Sequence, residues 1–260
     1  MLRHVESADG VRIACEVSGK GRALVLVHGA GSGRWGFDPL RPLLESSFTV
    51  TAIDRRGRGD SGDVQSEYSI EAEFADVAAV VAQAGDGSVL CGHSYGGLVA
   101  AGAAVRLPGL ERLVLYEPPM GGVLAAESWT ERFEARVEAG DRPAAVREFL
   151  RDVGGYSEAE VDALQQTPAW AARLAVAPTV PRELRAEHGL ALADLDLGRL
   201  SASSLMLVGS RSPAWARRST DAYADALADV RVKVLEGLGH GGVVNAPELV
   251  AGELIDFLGA

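Results

Sequence analysis

The sequence predicts an α/β fold: a mostly parallel central sheet with helices on both faces and an inserted helical segment. Three observations carry this. Short β-rich runs alternate with helical periodicity from residue 11 to residue 115, the same alternation resumes after residue 203, and the stretch between reads as helix. The sheet is therefore split in sequence around an insertion.

The strand-like runs are 11–17, 23–28, 48–54, 88–92 and 112–116. Because strands that alternate with helices are buried on both faces, their apolar runs are nearly continuous, as in Leu24-Val25-Leu26-Val27. The Gly19-Lys20-Gly21 turn is short enough to join the first two runs as an antiparallel hairpin, which makes the sheet mixed at that edge. Helical periodicity covers 70–84 and 95–106. After Glu117-Pro118-Pro119 the character changes, with amphipathic charged helices expected over 128–138, 142–153 and 157–166, the last behind a Ser157-x-x-Glu160 capping signal. The sheet resumes at 204–209, followed by a helix over 214–228, a strand over 230–235 and a closing helix over 246–258 with Pro247 in its first turn. The division expected is a core of 1–119 and 201–260 with a helical cap of 120–200.

The 260 residues can bury one large core, and 25 Lys plus Arg against 36 Asp plus Glu give a net charge of −11. With no basic cluster stronger than Arg55-Arg56-Gly57-Arg58, nucleic acid is not an expected partner. No apolar segment has the length of a signal core or a membrane span, so a soluble cytoplasmic protein without membrane contact is expected. Cys15 and Cys91 fall in apolar strand runs without CxxC spacing and read as reduced core residues.

Gly92-His93-Ser94-Tyr95-Gly96-Gly97 lies between a strand run and a helix run of small residues. Such a GxSxG turn is sharp and strained, and the small residues two before and two after the serine let it present the hydroxyl of Ser94. Upstream, His28-Gly29-Ala30-Gly31 ends another strand in glycine-rich backbone whose N–H groups can face a reactive centre. The backbone N–H groups of Ala30 and Tyr95 are the expected oxyanion donors. Downstream, Gly239-His240-Gly241 follows the last strand, so His240 comes last in chain order as a general base for a serine hydroxyl. The other histidines, His4, His28, His93 and His188, are assigned packing or loop-fixing roles.

In combination, HGAG at 28–31, DRRGRGDSG at 54–62, GHSYGG at 92–97 and GLGHGG with NAPE at 237–248 resemble the α/β-hydrolase superfamily over most of the chain. Asp54 and the Arg58-Gly59-Asp60-Ser61 turn look like the family's structural loop. The resemblance implies an α/β-hydrolase fold and an aspartate shortly after the strand beyond the cap. This chain has Ser212 there, within Gly209-Ser210-Arg211-Ser212-Pro213. A serine cannot stabilise an imidazolium. Glu117, at the tip of the strand after the nucleophile's helix, is the best substitute, since parallel strand tips face one crevice. Its alternative role is to bond backbone beside the elbow; Asp221 and Asp194 are weaker choices. A Ser, Glu, His order is similar to that of the zearalenone-type lactone hydrolases, and Ser212 and the 168–171 segment also fit that branch.

The expected protein is therefore a serine hydrolase of a carboxylic ester or lactone, with Ser94 as nucleophile, His240 as base and Glu117 as orienting acid. No cofactor or metal is required. Its partner is a small-molecule substrate, and it is a monomer or homodimer. Trp35, Trp129, Phe133 and Trp170, with Leu174, are candidates for an apolar substrate entrance. The same site on this fold also serves carbon–carbon bond hydrolysis, peracid formation, or rearrangement and cyclisation, and the absent aspartate admits a non-catalytic ligand-binding relative. Dehalogenation is disfavoured because the elbow carries serine where a carboxylate nucleophile is needed.

Overall fold

The computed structural model describes residues 1–63 and 68–259. Eight strands, β1 (Leu2–Glu6), β2 (Arg12–Gly19), β3 (Arg22–Val27), β4 (Phe48–Ile53), β5 (Val89–His93), β6 (Arg112–Tyr116), β7 (Ser203–Gly209) and β8 (Val230–Leu235), form one sheet in the order β1-β2-β4-β3-β5-β6-β7-β8. The pairs from β4 to β8 are parallel, whereas β1 with β2 and β2 with β4 are antiparallel. The sheet is mixed at one edge, as expected.

The cause of that mixing is different from the expected one. No hairpin forms across Gly19-Lys20-Gly21, because β4 lies between β2 and β3 and pairs with both. Val50, Ala52 and Ile53 of β4 are fully buried and Thr51 nearly so, which leaves the strand no exposed edge, so it takes a partner on each side. The turn is wedged against the start of β4: a Cβ on Gly21 would lie 2.1 Å from the Ser47 carbonyl oxygen. Strand β1 was not expected from the sequence. It is an edge strand whose residues are exposed except for half-buried Val5, so it carries no apolar pattern.

The pleat sorts the buried strands between two cores. Val25 and Val27 of β3 join one, and Leu24 and Leu26 the other. The first core is closed by α2 (Ile70–Ala84), α3 (Tyr95–Ala104) and α9 (Ala214–Ala226), and the second by α1 (Arg41–Leu44) and α11 (Pro247–Leu258). In α2 the buried Ile70, Phe74, Val77, Val80 and Val81 recur at helical spacing and form the face toward the sheet.

Between β6 and β7 stand α4 (Glu127–Glu138), α5 (Arg142–Asp152), α6 (Glu158–Gln165), α7 (Ala169–Val176) and α8 (Val180–His188). Helix α6 begins with the expected reciprocal cap: the Glu160 N–H donates to Ser157 Oγ at 3.3 Å, and the Ser157 N–H to Glu160 Oε2 at 2.8 Å. Helix α10 (Gly242–Asn245) precedes α11, and Pro247 stands in the first turn of α11. Among the described residues no helix is long and apolar enough to cross a membrane. Cys15 and Cys91 are buried free thiols, and burial pushes both up to about 12.

Candidate active site

Ser94 sits between β5 and α3 with φ 56° and ψ −131°, a conformation that side chains rarely adopt. It is held from both sides: its N–H donates to the Tyr116 carbonyl at 2.9 Å, and its own carbonyl accepts from the Gly97 N–H at 2.7 Å. The flanking glycines are steric requirements. A Cβ on Gly96 would lie 2.3 Å from the carbonyl oxygens of Val27 and His28, and one on Gly92 would lie 2.4 Å from the Gly96 carbonyl oxygen. Ser94 is thereby fixed at the sheet edge, 7% exposed, beside the loop that follows β3.

His240 lies on the loop between β8 and α10, and its Nδ1 is 2.5 Å from Glu117 Oε2. Glu117 follows β6 directly, is fully buried and holds φ 48°, anchored by its N–H to the Leu207 carbonyl at 3.1 Å. Its second oxygen, Oε1, accepts from the Gly209 N–H at 2.7 Å and from Ser212 Oγ at 2.5 Å. Ser212 thus binds the carboxylate that faces His240. The His240 loop is fastened by two further bonds: His93 Nε2–H donates to the His240 carbonyl at 2.9 Å, and the Tyr116 hydroxyl to the Gly239 carbonyl at 2.7 Å. The Trp215 ring meets the imidazole edge-on, with centroids 5.1 Å apart. Burial and the neighbouring His240 hold His93 down at about 3, so it is a neutral donor.

Ala30 lines the cavity beside Ser94, and the Tyr95 N–H opens the first turn of α3. A Cβ on Gly29 would come within 2.9 Å of Ser94 Cβ, which shows how closely this loop approaches the serine. Arg55 clamps the loop: its Nε donates to the His28 carbonyl at 3.0 Å and its Nη2 to the Gly29 carbonyl at 3.2 Å. His28 Nε2 accepts from the Arg55 N–H at 3.1 Å, while burial and then the Arg55 and Arg58 charges keep its pKa well below the usual histidine range. Its fixing role is as expected. Asp54 accepts from the backbone N–H groups of Arg34 at 2.9 Å and Asp60 at 3.1 Å, and its carbonyl accepts from Ser61 Oγ at 2.5 Å, so the 54–61 turn is structural.

Ser94, His93 and His240 open onto a cavity of about 50 Å³. None of Trp35, Trp129, Phe133, Trp170 or Leu174 is among its lining residues. Trp129 and Phe133 stack on each other at 5.4 Å inside the core of the insertion, with the Trp129 indole N–H donating to Asp152. The walls come instead from Leu124, Phe149, Leu150, Val153, Tyr156 and Arg173. The sequence places these residues in the insertion or after the HGAG loop but does not say which face of each helix turns inward. Arg173 carried a usable signal: it is the one charge in Ala169-Trp170-Ala171-Ala172-Arg173-Leu174-Ala175-Val176 and has no acid one turn away. Among the described residues no group of three or more His, Cys, Asp or Glu is placed to hold a metal ion.

With this geometry, comparison defines the class. The alpha/beta hydrolase family model matches residues 24–253, and the chain belongs to that family. An alpha/beta hydrolase of Sphaerobacter thermophilus DSM 20745 superposes with a TM-score of 0.85 at 34% identity, covering 98% of this chain and 99% of that one. Among curated relatives, N-formylmaleamate deformylase of Pseudomonas putida KT2440 is 42% identical over 122 residues, 45% of each chain. The 2-(acetamidomethylene)succinate hydrolase of Mesorhizobium japonicum is 28% identical over 201 residues, 74% of this chain and 63% of the relative. In both cases the match spans less than two thirds of the relative's length.

Proposed function

We propose that the protein is a serine hydrolase that cleaves a carboxylic ester or lactone through an acyl-enzyme on Ser94. The observation that carries this reading is the hydrogen bond from His240 to a buried Glu117, in a loop that shares one cavity with a strained, presented Ser94. Ser94 Oγ attacks the carbonyl carbon while His240 Nε2 accepts the hydroxyl proton. Glu117 holds Nδ1–H and stabilises the imidazolium. The N–H groups of Ala30 and Tyr95 receive the oxyanion, and each such donor is worth about two to three orders of magnitude in rate. His240 then returns the proton to the leaving alkoxide, and a water, deprotonated by His240, cleaves the acyl-enzyme.

The relatives' names agree with hydrolysis in general: a deformylase, a hydrolase and, in Neisseria meningitidis, a methyl ester esterase at 35% identity over 114 residues. The non-catalytic reading rests on Ser212 in place of an aspartate, and the Glu117–His240 bond supports the catalytic reading over it. A Ser, Glu, His order also favours the lactone branch among the possible acyl substrates. Residues 120–200 act as a cap over the core, since Leu124, Phe149, Leu150 and Arg173 reach the cavity from there. Ser94→Ala should lower kcat/KM for p-nitrophenyl acetate by about three orders of magnitude or more, given what losing a nucleophile removes. Hydrolysis by that variant at the wild-type rate would refute the reading.

A further inference from the structure

Arg173 is the exception among the buried cations of this protein. Of the described arginines that are buried, Arg55 pairs with Glu73 and Glu183, Arg56 with Asp76, and Arg58 with Glu183. Arg173, only 7% exposed, makes no ion pair with any described carboxylate. Its Nη1 donates to the Gly31 carbonyl at 3.2 Å and its guanidinium lies 4.8 Å over the Trp35 ring, while Nε is buried with no hydrogen-bond partner. Burial without a carboxylate lowers its pKa from the usual arginine value.

Two of these contacts fix the side chain; neither neutralises it. A guanidinium has five N–H donors in a planar fork, and an unpaired buried cation costs several kcal/mol, so the site is energetically incomplete. The side chain lines the cavity that contains Ser94, and none of the residues lining that cavity is an aspartate or glutamate. The missing negative charge must therefore come from what binds there. A planar carboxylate fits the fork, because it takes two parallel N–H donors at once.

We propose that Arg173 binds a carboxylate of the substrate, so that the enzyme acts on small acyl compounds carrying a free carboxylate near the scissile carbonyl. This rests on the hydrolase reading above and names the substrate class of that same site. Arg173 also ties α7 to the loop that carries Ala30, through the Gly31 carbonyl, so the bound carboxylate is placed relative to the oxyanion donors.

The test compares mono-(4-nitrophenyl) succinate with its neutral methyl ester. Wild type should favour the acid by about tenfold or more in kcat/KM, the value of a charge-assisted hydrogen bond. Arg173→Met should lose that preference, the acid's kcat/KM falling about tenfold or more further than the neutral ester's, with circular dichroism reporting an intact fold. Equal loss on both esters would mean a purely structural arginine, and the absence of any preference in wild type would equally overturn the proposal. A second arm does not need turnover: succinate titrated calorimetrically into Ser94→Ala protein should bind, and should fail to bind the Ser94→Ala/Arg173→Met protein. No hydrolysis of either ester with succinate still bound through Arg173 would reject the hydrolase reading and sustain the carboxylate site. No succinate binding with normal hydrolysis of the neutral ester would do the reverse.

Discussion

Ser94 and Glu117 are two of the three non-glycine residues with positive φ among the described residues, the third being Asp196. Each such conformation costs on the order of 1–3 kcal/mol and persists only where its surroundings enforce it. Here the surroundings are adjoining strands: the Ser94 N–H is held by the carbonyl of Tyr116, just before Glu117, and the Glu117 N–H by the Leu207 carbonyl. The same packing keeps two histidines neutral. His28 is held well below the usual histidine pKa by burial and the nearby arginines, and His93 at about 3 by burial and His240. Both folded-state values lie under the unfolded value of ~6.5, so the unfolded chain binds more protons as the pH falls. Their contribution to stability is complete above that value and is lost between it and the folded pKa. At pH 5.5 the loss should be about 1 kcal/mol for each histidine. Urea unfolding at pH 7 and 5.5 measures it, and His93→Gln, which keeps an N–H donor, should show a smaller drop than wild type. An unchanged drop in that variant would show that His93 is already protonated in the native state.

At the scale of elements, Glu183 is the junction. It projects from α8 and meets Arg55 and Arg58 of the turn after β4, while Glu73 of α2 binds Arg55 from the other side. Tyr68 extends the network, donating to Glu73 at 2.5 Å and meeting the Tyr95 hydroxyl at 2.8 Å. All four charged side chains are buried, so removing Glu183 leaves the Arg58 guanidinium without its ion pair and Arg55 with Glu73 alone. Glu183→Ala should destabilise the protein by about 3–5 kcal/mol in urea unfolding, the range for breaking a buried ion pair. A loss under about 1 kcal/mol would mean that α8 docks by apolar contact alone. This junction was not legible in the sequence. Arg55, Glu73 and Glu183 are far apart in the chain, and a lone charge in a helix pattern reads as a solvated face. Local signals were legible: α2 and β8 have their expected bounds, and the capping box starts α6, because apolar period and cap chemistry are properties of neighbouring residues. Pairing was less so, and the hairpin expected at Gly19–Gly21 failed because strand order depends on what β4 must cover.

At the scale of the whole molecule, the parallel strand order brings the ends of β3, β5, β6, β7 and β8 to one edge, so residues from 29 to 240 meet around one cavity. The order of motifs in the chain was enough to nominate Ser94, His240 and Glu117, because strand tips in such a sheet share an edge. It was not enough to nominate Arg173 or the cavity walls, which depend on how the segment between β6 and β7 rotates each helix onto the core. The same edge explains the use of Ser212: it ends the β7 turn beside the tip of β6, so the serine binds the carboxylate of Glu117. In the proposed mechanism Glu117 supplies the charge that His240 needs. Its most direct test is kcat for p-nitrophenyl acetate in Glu117→Gln beside Ser212→Ala, with circular dichroism to establish that both are folded. A fall of about three to four orders of magnitude is expected for Glu117→Gln and less than about tenfold for Ser212→Ala, which removes one hydrogen bond and no charge. A folded Glu117→Gln protein that keeps its kcat within about tenfold of wild type would contradict it.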